Sequence, residues 1–250
     1  MQIPPGIQAL ADHGALYAVI GQRRLADHLD QRLGEYSWEV DLAEGWIRFV
    51  ATADPQRFVQ SRLGFVASIA PGPRSLLWGW AHPQAIDASA AERIRALGEQ
   101  HGFQDLTVAE VPLVLADGDD VDAAVAALSH VVAAAAVEAT GRTPYYSAPA
   151  GGGSRIVFLL PDIDLGPVRL NVDGAGLGSA LLEAATSHQR NAVMGFARHS
   201  GFGVRSAPDG SSDEIADQEG SRITVSWDAA GRPTDVSAQL AGVPEPPAPG

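Results

Sequence analysis

The sequence predicts an α+β protein: an N-terminal helix packed on an antiparallel four-stranded sheet in cystatin-like order, followed by further helices and antiparallel hairpins. Three observations predict it. Ile7–Leu33 carries apolar side chains at helical spacing, with one seam through Leu10, His13, Tyr17 and Ile20 and another through Leu25, Leu29 and Leu33. Trp38–Val50 then switches to a two-residue period around a turn. Arg74–Pro83, read R-S-L-L-W-G-W-A-H-P, concentrates aromatic surface behind the turn Pro71-Gly72-Pro73.

Taken in order, the first helix has two seams that are out of phase across Gly21-Gln22, which predicts a bend or a break there, and Gly34 closes it. The next segment reads S-W-E-V-D, L-A-E-G, W-I-R-F-V, a hairpin pairing Trp38 with Phe49 and Val40 with Ile47 on one face. Glu39 then meets Arg48 on the other face, so apolar pairs and opposite charges both support the register. Leu63–Ala70 alternates as a third strand. The tryptophan run follows as the fourth, with Leu76, Trp78 and Trp80 on one face. Gly79 between the indoles removes bulk, so another backbone can approach closely.

Ser89-Ala-Ala-Glu92 fits a capping box opening a helix that Gly102 closes. Thr107–Leu115 is extended in character, and Ala116–Asp120 is a loop. Val121, Val125, Leu128, Val132 and Ala135 form the seam of a helix ended by Gly141. Thr143–Ser147 and Arg155–Leu160 read as strands, and Val168–Val172 as a short one. Gly178–Ser200 reads as a single long helix capped by Gly201. The acid-rich Ala207–Gly220 reads as a mobile loop. Ser221–Trp227 and Thr234–Leu240 form a terminal hairpin pairing Ile223 with Ala238 and Val225 with Val236. The organisation expected is therefore an α+β core region over 1–162, a helix and hairpin over 163–242, and a proline-rich disordered tail over 243–250.

Composition narrows the chemistry. There is no cysteine, which excludes disulfides, thiolate metal sites and a cysteine nucleophile. Every basic side chain is arginine, which excludes Schiff-base and P-loop lysine chemistry. The net charge of −13 disfavours nucleic acid and anionic membranes and favours a basic protein or a cationic ligand. The first twenty residues lack a basic n-region and an apolar h-region, so no secretory leader is expected. The most apolar run, His130–Ala139, is too short to span a bilayer, so a cytoplasmic location is expected.

Motifs for a cofactor fail on spacing. Gly174-Ala-Gly176-Leu-Gly178-Ser179 puts serine where a dinucleotide turn needs its third glycine, and no acid-terminated strand follows. Gly151-Gly-Gly-Ser154 leads into a strand and lacks lysine, so it is not a phosphate loop. The seven histidines show no metal-ligand spacing, so neither a cofactor nor a metal is expected. Glu39 and Asp41 share a strand face with Arg48, as a solvated surface does. Candidate binding residues are the aromatics Trp78, Trp80, Trp46, Tyr145 and Tyr146, with His82 at a strand end between aromatics and a proline. Trp78, Trp80 and His82 would line a pocket only if the indoles face open space, because a core strand would bury them.

The pieces Trp78-Gly-Trp80-Ala-His82-Pro83, Arg95-Ala-Leu-Gly-Glu99-Gln-His101-Gly102 and Pro144-Tyr145-Tyr146, the last followed by Arg155–Leu160, resemble one pattern. It is that of an uncharacterised family of bacterial domains with a W-x-W-A-N-P-like strand end before an R-x-L-G-E-x-H-G helix. The resemblance spans roughly residues 38–160. His82 stands where that family usually has Asn; both can hydrogen-bond a turn, which points to a structural role. The family implies no activity. The leading expectation is a non-enzymatic acidic binding protein that neutralises or chaperones a basic protein partner, as immunity proteins do. The alternative is a small-molecule-binding or enzymatic pocket lined by Trp78, Trp80 and His82. A homo-oligomer is compatible with either.

Overall fold

The computed structural model describes residues 2–114 and 120–242. Helix α1 is Pro5–Leu33, one unbroken helix of 29 residues. The helix runs through Gly21-Gln22 without a break. Gly21 instead lets Thr143 approach, since a Cβ at Gly21 would collide with the Thr143 side chain. The two seams are out of phase because α1 serves three cores. Ile7, Leu10, Ala11, Ala15 and Ala18 enter the first, Leu16 and Ile20 the second, and Leu25, Leu29 and Leu33 the third.

Strands β1 (Tyr36–Asp41), β2 (Trp46–Ala51) and β3 (Phe58–Arg62) form a three-stranded antiparallel sheet in that order. The hairpin register is the expected one, with Trp38 opposite Phe49, Glu39 opposite Arg48 and Val40 opposite Ile47. The expectation of four strands on α1 is corrected: this sheet has three, and β3 was not foreseen. Asp54-Pro55 interrupts the sheet without ending it, and Phe58–Arg62 returns to pair with β2.

At Leu63 the chain passes into a second sheet. It contains β4 (Gly64–Ala70), β5 (Ser75–Trp78), β6 (Glu110–Pro112), β7 (Tyr145–Pro149) and β8 (Arg155–Leu159), in the order β6-β5-β4-β8-β7. The tryptophan run thus lies in a different sheet from the hairpin. Its strand ends at Trp78, and Gly79–Ala81 is a 3-10 turn, so the expectation that Trp80 shares the Trp78 face is corrected as well.

Helix α2 is Ser89–His101, closed by Gly102 in the left-handed conformation. Its expected capping box does not form; the Asp87 carboxylate accepts from Ser89 N instead, at 2.9 Å. Helix α3 is Val121–Thr140, capped by the Asp120 carboxylate on Ala123 N and closed by Gly141. With a mean hydropathy of 1.6 and 20 residues, α3 is long and apolar enough to cross a bilayer, beyond what His130–Ala139 alone suggested. Packing against α1, α2 and the five-stranded sheet accounts for that apolarity, which is consistent with a soluble chain.

The C-terminal part departs most from expectation. Val168–Val172 is not a strand; Leu170–Asp173 is a helical turn, α4. Gly178–Ser200 is not one helix but α5 (Leu177–Glu183) and α6 (Gln189–Ser200). Most of the expected mobile loop is ordered, with strands β9 (Gly203–Ser206) and β10 (Ser212–Ala216) flanking its first part. They join β11 (Arg222–Trp227) and β12 (Pro233–Gln239) in a sheet ordered β12-β11-β10-β9, and the terminal hairpin has the expected pairing. Leu16 and Ile20 of α1 complete its core. The expected tail over 243–250, and all of the 116–120 loop but Asp120, lie outside the described residues.

Candidate functional site

The aromatic residues singled out by sequence do not meet in one place. Trp78 is fully buried, and its Nε1 donates to the Asp105 carbonyl at 2.9 Å. It faces filled core. Gly79 beside it lies against the Phe65 and Val66 carbonyls of β4, the close backbone approach its sequence position predicts. The Trp80 ring lies under the Arg95 guanidinium, 4.8 Å away, and its Nε1 is buried without a partner. His82 packs on Phe65 with ring centroids 4.6 Å apart, and its Nδ1 accepts from Gln84 N at 3.2 Å. Burial lowers its pKa, so His82 holds the turn as a neutral ring.

Trp46 stands on the outer face of the three-stranded sheet. The Arg48 guanidinium lies 4.8 Å from the Trp46 ring and 4.7 Å from that of Phe58. Tyr145 and Tyr146 are neighbours on β7 and therefore point to opposite faces. Tyr145 is buried, its hydroxyl 2.8 Å from His130 Nδ1. Tyr146 joins Trp38 at 5.4 Å and Phe49 at 5.5 Å, and Tyr36 meets Phe49 edge-on at 5.8 Å. Burial foremost, with the neighbouring Tyr36, pushes the Tyr146 hydroxyl up to about 12, so it is a protonated donor at neutral pH.

A site that sequence reasoning missed emerges at strand β1. Tyr36, Trp38 and Phe58 are 40 %, 38 % and 51 % exposed, and no other aromatic side chain is among the large exposed hydrophobics described. All three lie on the three-stranded sheet. Tyr36 and Trp38 belong to β1, an edge strand whose residues are mostly exposed. Its outer side carries backbone N–H and C=O groups that no strand pairs. Residues 26–47 hold six carboxylates against one arginine. Asp41 is used locally, accepting from Ala43 N and Glu44 N at 2.9 Å each, and Glu39 reaches Arg48 only at 3.4 Å. Among the described residues, the Glu35 and Glu44 side chains have no partner. The readable signal was the acidic run itself; what hid the site is that β1 looks inward-facing until the sheet is known to end there.

Other polar clusters are structural. Asp12 takes Thr186, Ser187 and His188, but the same His188 Nδ1 faces both Asp12 at 3.0 Å and Ser187 Oγ at 2.9 Å. A nucleophile relay needs the two partners on different ring nitrogens, so this trio is a clasp. Asp213 is fully buried under Arg190, Ser206 and the Trp227 indole. No group of His, Asp or Glu among the described residues could hold a metal ion.

Comparison with known families places most of this architecture. A model for a family of unknown function matches residues 8–163, more than half of the chain. The chain belongs to the DUF6882 family. The DUF6882 match contains the motifs from Trp78 to Tyr146 that carried the resemblance, and it extends back through α1. It covers the three-stranded and five-stranded sheets and therefore the β1 edge; the four-stranded sheet lies beyond it. No curated protein and no solved structure matches the chain.

Proposed function

We propose that this DUF6882 chain is a non-enzymatic binding protein whose β1 edge takes up an extended basic segment of a partner protein. The observation that carries the reading is the coincidence, on one unpaired edge strand, of half-exposed Tyr36 and Trp38 with the carboxylates Glu39 and Asp41, flanked in sequence by Glu35 and Glu44. Strand addition draws affinity from main-chain hydrogen bonds and specificity from side-chain contacts on alternate residues. Arginine or lysine placed opposite Glu35 or Glu39 would gain charge complementarity, and over the rings of Tyr36 or Trp38 a cation–π contact worth ~0.5–2 kcal/mol. A second copy of the chain is a poor occupant, because two β1 edges would bring like charges together.

The test uses acetylated (Arg-Val)4 amide as probe and (Glu-Val)4 as control, titrated by calorimetry into the full chain. The basic peptide should bind, and weaken from 50 to 300 mM salt as screened charges do. Trp38→Ala and the double reversal Glu35→Arg with Glu39→Arg should each reduce affinity about tenfold, the equivalent of ~1.4 kcal/mol. Equal binding of the acidic control, or unchanged affinity in the reversed variant, would sink the reading.

A further inference from the structure

A second site lies along β6, an edge strand of the five-stranded sheet. A groove of about 460 Å³ runs between β6, the 3-10 turn Gln104–Leu106 and the N-terminal arm that leads into α1. That volume falls within the ~300–1,000 Å³ of ordinary ligand pockets.

The groove is held in shape from several sides. Gln2 N donates to the Val114 carbonyl at 3.0 Å, which lays the arm antiparallel beside the end of β6. The Asp105 carboxylate accepts from Gly6 N at 3.2 Å and Ile7 N at 2.9 Å, and so ties the 3-10 turn to the first turn of α1. Gly6 permits that approach, since a Cβ there would meet Asp105 and Phe103 at 2.7 Å. Pro4, Pro5 and Pro112 stiffen the walls, because each has a fixed φ. The site is therefore formed before a ligand arrives, which lowers the ordering cost of binding.

Its lining is largely apolar, with Ile3, Val108, Val111 and Val114 among the contributors. Val114 is 58 % exposed, so part of this apolar wall stands open to water. The charges around it have one sign. Among the described residues, Asp105 and Glu110 line the groove and no arginine does. The positive end of α1 partly neutralises Asp105, whereas Glu110 is exposed on β6 and keeps its full charge toward the groove. The chain's net charge of −13 adds to the same field.

We infer that this groove binds a small organic cation, with its ammonium against Glu110 and its apolar ring or chain along the valines and prolines. The two carboxylates repel an anion, and a neutral apolar molecule gains nothing from them. This site does not rest on the β1 reading. β6 and β1 belong to different sheets, and a ring-bearing amine has no backbone with which to extend a strand.

The probes are tryptamine and two matched controls, the uncharged indole-3-ethanol and the anionic indole-3-propionate. Each is titrated into the full chain by calorimetry and by NMR of 13C-labelled Ile and Val methyls. Tryptamine should saturate, move the Ile3, Val108 and Val111 methyls, and leave the β1 amides unmoved. At 50 mM salt it should bind at least about tenfold tighter than indole-3-ethanol, and the difference should shrink at 300 mM. Indole-3-propionate should not bind. Glu110→Gln should remove most of the advantage of tryptamine and leave indole-3-ethanol unchanged. Val114→Trp, at an exposed position, fills the groove and should abolish tryptamine binding; should that variant not fold, Glu110→Gln still decides. Silent methyls with tryptamine, equal binding of either control, an undiminished tryptamine advantage in Glu110→Gln, or full affinity in Val114→Trp would overturn the inference.

Discussion

Replacing Asp12 tests how the C-terminal part is clasped to α1. Asp12 lies near the start of α1 and is 5 % exposed. Oδ1 accepts from Gln8 Nε2 at 2.8 Å, Thr186 Oγ1 at 2.9 Å and Ser187 N at 2.7 Å. Oδ2 accepts from Ser187 Oγ at 2.8 Å and faces His188 Nδ1 at 3.0 Å. The segment it holds, Ala184–His188, separates α5 from α6. A hydrogen bond to a charged group contributes about 1.5–3 kcal/mol, but these share one carboxylate and are not additive. His188 is largely exposed and is discounted. Asp12→Asn keeps one carbonyl for the Gln8, Thr186 and Ser187 donors and loses the charge, which costs about 1–2 kcal/mol. Asp12→Ala leaves the Ser187 N–H and Thr186 hydroxyl facing a void and costs about 3 kcal/mol. For a chain of this size that is a Tm drop of ~6–12 °C. Urea unfolding gives the free energies, and amide exchange at Ser187 should accelerate in both variants. An Asp12→Ala cost within about 0.5 kcal/mol, the range of ordinary surface substitutions, would refute the reasoning. So would an Asn variant less stable than the Ala variant.

Three further outcomes follow from the packing and the charges. Gly14→Ala and Gly195→Ala should both destabilise by about 2–3 kcal/mol or more, although alanine is the better helix former by about 1 kcal/mol. The added Cβ would strike the Ala134 carbonyl in the first case and the His13 carbonyl in the second, and a thermal melt showing either variant more stable would disprove these close approaches. Stability should begin to fall below about pH 6.5, because burial lowers the pKa of His28, His82 and His130 in the fold, and then fall further through the ordinary carboxylate range near 4 and below. Burial raises the pKa of Asp12, Glu138 and Asp213, but hydrogen bonds from Ser187, His199 and Arg190 outweigh it, so all three stay below their usual values. Their contribution is therefore present above the unfolded value and lost as pH drops through the folded one; urea titrations from pH 7 to 2.5 showing no acid loss would contradict this. Asp213→Ala should cost about 3–5 kcal/mol by leaving Arg190 without its carboxylate, and near-UV circular dichroism should report the freed Trp227 indole.

How far the fold could be read depended on how far apart the interacting residues lie. The β1–β2 register was legible because Trp38, Phe49, Val40 and Ile47 sit within one hairpin and state their pairing locally. So were the Gly102, Gly141 and Gly201 helix ends, which need only a left-handed residue. The break between α5 and α6 was not legible, since its cause is Asp12, 175 residues away from Ser187. The strand at Ser212–Ala216 looked like an acidic loop because the burial of Asp213 is tolerable only with Arg190 and Trp227 in place. Gly21 read as a hinge because nothing local announces Thr143. For the site, the aromatic residues were visible but their grouping was not. Tyr146 meets Trp38 only because two sheets come together, and Trp78 and Trp80 part company where the strand stops.

Hydrogen–deuterium exchange along β1 tests the central claim most directly. With (Arg-Val)4 amide bound, the outward N–H groups within Tyr36–Asp41 should exchange at least ~10-fold more slowly, as amides entering a ladder do, and the protection should fade in Trp38→Ala. Saturating peptide that leaves β1 exchange unchanged, or protects another strand instead, would contradict the account.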